Sequence, residues 1–212
     1  MLRSLVGSEM CIRDRVSVFA VDADASEPTN PGIFEFTLSN PTAVPVTVTY
    51  SVGGDANTGT IGNEDFVPLS GTITFEAGET VKQVVVETLD DDVVENDETV
   101  IVTLDAETSL PLVTGSGSDT VVIASEDVAL ATLSTTHDAS EEGPTAGVFT
   151  ITLDHIADED VTITLNDITE IGLGLATPAD FGTSATVTIP AGTLSGSVNV
   201  CLLYTSPSPR DS

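Results

Sequence analysis

The chain has 212 residues, of which 34 are acidic and 5 are basic, and its formal net charge is −29. Proteins bind nucleic acids and anionic lipids through Lys and Arg, so the small number of basic residues excludes nucleic-acid partners. No apolar run approaches the roughly 20 residues that cross a bilayer, which excludes membrane insertion of this segment. Such a charge is typical of disorder, but hydrophobic residues make up 40% of the chain, which predicts a packed fold.

The two ends of the chain resemble translated sequencing-adapter DNA. A DNA sequence that encodes residues 201–211 has a reverse complement that, read in a shifted frame, encodes residues 5–14. We therefore expect residues 1–15 and 201–212 to be artefacts that add no strand, and residues 16–200 to be the native segment. This segment has no Cys, its only basic residue is Lys82, and removal of Glu9, Asp14 and Asp211 leaves 31 acidic residues and a charge of −30. Natural termini are the alternative.

Apolar residues alternate with polar ones along the native segment, which predicts β-strands with one buried face. The alternating sets are Phe34, Phe36 and Leu38; Val46, Val48 and Tyr50; Ile73 and Phe75; Phe149, Ile151 and Leu153; and Val161, Ile163 and Leu165. Turn signals separate them at residues 40–41, 53–55, 77–78 and 115–117. No helical period is visible, so the predicted fold is an all-β, immunoglobulin-like antiparallel β-sandwich.

The sequence repeats once. Asp180-Phe181 lies 115 residues after Asp65-Phe66, and Ser140-Glu141 lies 114 residues after Ser26-Glu27. This spacing predicts two domains, residues 16–127 and residues 128–200. The second has no counterpart of residues 90–127, so we expect it to be incomplete and, with only Glu141 and Asp180 matching acidic positions of the first, unable to bind a metal ion.

A dense acidic segment lies between two apolar ones. It contains Asp90, Asp91, Asp92, Glu95, Asp97 and Glu98. Two carboxylates at 4 Å repel by about 4 kcal/mol at an effective dielectric of 20, and Ca²⁺ removes this repulsion by binding six to eight oxygens. The segment therefore favours a calcium site. A solvated acidic loop in a salt-adapted protein is the alternative.

Four motifs in order resemble the Calx-beta domain family. They are Ser26-Glu27, Asp65-Phe66, the segment GTITFEAGET at residues 71–80, and DDDVVENDE at residues 90–98. The resemblance covers nearly all of residues 16–127 and the front half of the second repeat. It implies tandem Calx-beta-like domains with the sandwich fold predicted above.

The resemblance also implies a ligand set for Ca²⁺ in the first domain. Main-chain oxygen would come from Val93, and carboxylate oxygens would come from Glu27, Asp65, Asp90, Asp91, Glu95, Glu98, Glu126 and Asp127. Ser125 stands where the family's calcium-binding pattern has Asp.

We therefore expect a non-enzymatic, calcium-stiffened spacer or adhesion segment of a large extracellular or cell-surface protein. Its partners would be neighbouring domains of the same chain and cell-surface or matrix ligands. No nucleophile motif is present, Trp is absent, and we expect His137 and His155 to be isolated from other candidate ligands. Two alternatives stay open: accessory domains of a secreted enzyme whose catalytic module lies elsewhere, and a metal-free spacer.

Overall fold

The computed structural model of the protein describes residues 15–59, 64–108, 113–114, 117–137, 146–166 and 184–200. Within these ranges the regular structure consists of β-strands, and no helix occurs that could cross a membrane. The chain folds as two compact units. The predicted all-β class is confirmed.

The first unit is a sandwich of two sheets. Its strands are β1 (Arg15–Asp22), β2 (Asp24–Ser26), β3 (Gly32–Leu38), β4 (Val46–Gly54), β5 (Thr72–Phe75), β6 (Val81–Val86), β7 (Glu98–Thr108), β8 (Val113–Thr114) and β9 (Ser118–Ala124). One sheet has the order β6-β3-β1-β8 and the other β2-β9-β7-β4-β5. All these pairs are antiparallel except β1 with β8 and β2 with β9, which are parallel.

The core of the first unit lies between the inner faces of the two sheets. Phe34 and Phe36 of β3 are completely buried, as the alternation of apolar residues predicts. The ring of Phe36 meets the ring of Tyr50 on the facing sheet, with a centroid distance of 5.2 Å. At Gly32 the sheets approach so closely that an added Cβ would lie 2.4 Å from Cγ1 of Val121.

Two predicted boundaries differ from the structure. Arg15 was expected to belong to an artefactual end that adds no strand, but β1 begins at Arg15, whose carbonyl accepts the N–H of Ser39 at 2.9 Å. The glycines at 53 and 54 were expected to form a turn, but β4 continues through both of them. Residues 1–14, 115–116 and 201–212 lie outside the described residues.

Gly54 explains why the second expectation is wrong. It has φ +113°, a backbone conformation that L side chains rarely adopt, and an added Cβ would lie 2.0 Å from the carbonyl oxygen of Thr99. Gly54 pairs with Val100 of β7. Glycine at 54 therefore allows β4 to pass close to the start of β7 instead of turning away from it.

The second unit contains β10 (Ala131–His137), β11 (Gly147–Leu153), β12 (Val161–Asn166), β13 (Ser184–Ile189) and β14 (Ser195–Val200). The order β10-β11-β14 and the pair β12-β13 match β1-β3-β6 and β4-β5 of the first unit. Ile163 and Leu165 are only partly buried, whereas Val48 and Tyr50 at the matching positions are buried. The tandem repeat stays a prediction, and Glu141 and Asp180 lie outside the described residues.

Candidate metal centre

Main-chain hydrogen bonds bring two loops of the first unit together. The N–H of Leu89 donates to the carbonyl of Asp65, and the N–H of Val67 donates to the carbonyl of Glu87, both at 2.9 Å. Phe66 and Thr88 form an isolated antiparallel bridge between the same loops. The short ladder ends directly before Asp90 and Asp91, so the chain enters its acidic segment beside Asp65.

Glu27 is held at the same place by two further contacts. Its N–H donates to the carbonyl of Ala124 at the end of β9, at 3.2 Å. The hydroxyl of Thr88 donates to the carbonyl of Ser26 at 3.1 Å. The end of β2, the end of β9 and the loop before residue 90 are therefore fixed relative to one another.

Glu27 lies close to two further carboxylates of the first unit. Asp65 and Asp91 each offer an oxygen within 4.8 Å of an oxygen of Glu27. Ligands at 2.3–2.6 Å from one Ca²⁺ are at most about 5 Å apart, so both pairs have the spacing of a calcium site. We call Glu27, Asp65 and Asp91 the carboxylate cluster.

Burial distinguishes this cluster from an exposed acidic loop. Asp65 is 1% exposed and Glu27 is 6% exposed. Oδ2 of Asp65 accepts the N–H of Asn57, but Oδ1 has no hydrogen-bond partner among the described residues. A buried ionised carboxylate is costly unless a cation or further donors compensate its charge, so Oδ1 of Asp65 fits a metal ligand.

The other residues of the implied ligand set occupy different positions. Glu98 lies at the start of β7. Val93, which is buried, Glu95 and Asp127 belong to the second compact unit. Asp90 and Glu126 are exposed and do not belong to the cluster. Within the first unit, the structure thus brings together Glu27, Asp65 and Asp91.

The atoms that the cluster offers to a metal ion are all carboxylate oxygens. Hard cations such as Ca²⁺ take oxygen ligands, whereas zinc and copper sites use the softer nitrogen and sulfur ligands of His and Cys. Ca²⁺ accepts irregular geometry and up to eight ligands, while Mg²⁺ needs a nearly ideal octahedron. Side chains supplied by several loops therefore suit Ca²⁺ better.

The sequence interpretation missed a contact between Asp55 and Thr99 in the first unit. Oδ1 of Asp55 accepts both the N–H of Thr99, at 2.6 Å, and the Thr99 hydroxyl. The pKa of the Asp55 carboxyl is lowered, mainly by the hydrogen bond from the Thr99 hydroxyl and then by the one from the Thr99 N–H. The turn signal at residues 53–55 indicated the loop but not this contact, since Asp55 and Thr99 are distant in sequence.

Residues 13–127 match the family model for the Calx-beta domain. A search of curated proteins finds no match.

The solved structures that are similar to this chain include three structures of Calx domains. CBD12 from CALX1.2 is 18% identical over 91% of this chain and 76% of that chain, with a TM-score of 0.45. The calcium binding domain CBD12 of CALX1.1 has the same identity and coverage, with a TM-score of 0.43. The apo-form Calx CBD1 domain is 20% identical over 53% of this chain and 98% of that chain, with a TM-score of 0.42.

Proposed function

The chain belongs to the Calx-beta domain family through residues 13–127, and from this premise we propose that its first unit binds Ca²⁺ at the carboxylate cluster. One observation carries the proposal: Asp65 is buried beside Glu27, and its Oδ1 has no hydrogen-bond donor among the described residues. A bound cation would compensate both buried charges. The carboxylate of Asp91 would add further oxygen ligands.

Calcium is expected to raise the melting temperature of the full chain. Extracellular modules bind Ca²⁺ with Kd of about 10⁻⁴–10⁻³ M, and a free concentration of about ten times Kd stabilises the folded state by about 1.4 kcal/mol. Differential scanning calorimetry in millimolar Ca²⁺ and in chelator, at fixed ionic strength, measures the gain.

Two variants of adjacent residues localise the effect. Asp91→Ala should reduce the gain because Asp91 is in the cluster. Asp92→Ala removes an exposed charge from the same loop and should leave most of the gain in place. Equal melting temperatures of the unaltered chain in calcium and in chelator would exclude the proposed site.

For the whole chain we propose a mechanical role outside the cell, as a calcium-stiffened spacer or adhesion segment without catalytic activity. Weak calcium sites suit an environment with about millimolar calcium, and the excess of carboxylates suits one rich in cations. An ion held by Glu27, Asp65 and Asp91 would fix three loops of the first unit that are otherwise joined by a few hydrogen bonds. Neighbouring domains and cell-surface or matrix ligands are the proposed partners.

Single-molecule stretching tests this mechanical role. When the full chain is pulled from its ends, the first unit should unfold at a higher force in calcium than in chelator, because the ion ties together loops that separate on unfolding. The Asp91→Ala variant serves as the control and should lose most of the difference. Identical force distributions for the unaltered chain in both solutions would contradict a stiffening role.

A further inference from the structure

Three consecutive residues at the end of β4, Gly54, Asp55 and Ala56, contact Thr99. Gly54 provides the close approach of the two backbones, since any Cβ there would clash with the Thr99 carbonyl oxygen. The Asp55 carboxylate accepts both the N–H and the hydroxyl of Thr99. The N–H of Ala56 donates to the Thr99 carbonyl at 3.1 Å. The N–H, the hydroxyl and the carbonyl of Thr99 are thus all bonded to residues 55–56.

The same loop continues directly to the most buried ligand candidate. Asn57 follows Ala56, and its N–H donates to Oδ2 of Asp65. The N–H of Asp65 donates back to the Asn57 carbonyl at 2.9 Å. Asn57 therefore orients both the backbone and the carboxylate of Asp65, and the position of Asn57 is fixed by the contacts that residues 54–56 make with Thr99.

We propose that Asp55 and Thr99 are positioning residues of the metal centre, which hold the Asp65 carboxylate in place through Asn57. This inference rests on the proposed calcium binding. Asp55 is exposed, does not belong to the carboxylate cluster and uses its Oδ1 to accept the hydrogen bonds of Thr99, so we assign it no role as a ligand. Thr99 also follows Glu98 at the start of β7, so one residue connects the Asp65 loop to the strand that carries a second carboxylate of the ligand set.

The chemistry of the contact gives a specific expectation for Thr99. Removal of its hydroxyl leaves the Asp55 carboxylate with one donor instead of two, so residues 55–57 lose part of their anchor. Removal of a group that orients a metal ligand through a hydrogen bond lowers the metal affinity by about 10–100-fold. Serine keeps the hydroxyl, and valine removes it while keeping the branched shape.

The test is calcium titration of the full chain by calorimetry, at a temperature where circular dichroism shows every variant to be folded. Thr99→Val should bind calcium about tenfold more weakly than the unaltered chain, and Thr99→Ser should bind nearly as well as it. Thr103→Val is the matched control, because it removes from the same strand an exposed hydroxyl that contacts Ser118 Oγ at 3.1 Å. Unaltered affinity in Thr99→Val, or equal losses in Thr99→Val and Thr103→Val, would overturn the inference.

Amide hydrogen exchange of Asn57, followed by NMR in chelator, separates this inference from the proposed function. The Asn57 amide is the donor to Asp65, so its exchange should accelerate in Thr99→Val and not in Thr103→Val. If the unaltered chain binds no calcium, the proposed function fails, while selective acceleration would still show that Thr99 positions Asp65. Equal exchange in the two valine variants would show that it does not.

Discussion

Asp65→Asn is expected to stabilise the calcium-free protein and to remove most of the stabilisation that calcium provides. The substitution removes one negative charge from a pair of buried carboxylates while keeping an oxygen that can accept the N–H of Asn57. Its new amide can also donate to Glu27, whose carboxylate lies within 4.8 Å. Relief of an uncompensated buried polar group is worth about 1–3 kcal/mol.

Thermal or urea unfolding of the full chain in chelator and in calcium measures both effects of Asp65→Asn. The variant should be more stable than the unaltered chain in chelator, and calcium should add little further. Asp22→Asn, which removes an exposed carboxylate from β1, is the control and should alter neither value much. A variant that is less stable in chelator, or that keeps the full calcium gain, would show that Asp65 has a structural role instead.

Phe34→Ala is expected to lower the free energy of unfolding of the first unit by about 3–5 kcal/mol. Phe34 is fully buried, lies on β3 between β1 and β6, and belongs to the core that fills the sandwich. Removing the ring leaves a cavity between the two sheets. The sheets cannot close it, because hydrogen bonds hold the strands of each sheet in place. Since domains are stable by about 5–15 kcal/mol in all, this single change removes a large part of the total.

Urea unfolding of the full chain, followed in chelator to exclude binding effects, measures the loss caused by Phe34→Ala. Phe19→Ala is the matched control, because Phe19 is the same residue type on the neighbouring strand but is 44% exposed on the outer face. We expect the control to cost much less. Similar losses at both positions would mean that the inner face of β3 does not form the centre of the core.

The alternation of apolar residues was sufficient to predict which faces of β3 and β4 are buried. Phe34, Phe36, Val46 and Val48 all lie on the predicted inner face, because side chains in an extended strand point to opposite sides in turn. The resemblance to the family added Glu27 and Asp65. Composition and periodicity would have placed both on the surface, since isolated acidic residues are rarely buried.

The contacts that we propose to position the ligands of the metal centre could not be predicted from such a local pattern. The contact between Asp55 and Thr99 depends on the register between β4 and β7, which no local pattern in the sequence determines. Gly54 is an example: a glycine pair followed by Asp is a strong turn signal, but here it permits close contact between two strands. Local signals identify elements, whereas contacts between distant segments follow from how the sheets are assembled.

The close approach of the sheets at Gly32 links two positions that are far apart in the chain. Because a Cβ at position 32 would lie 2.4 Å from Cγ1 of Val121, residue 32 cannot gain a side chain unless residue 121 becomes smaller or moves. In an alignment of relatives, we therefore expect these two positions to co-vary, with bulk at the first accompanied by a small residue at the second. The pair would then report the local distance between the two sheets of the sandwich.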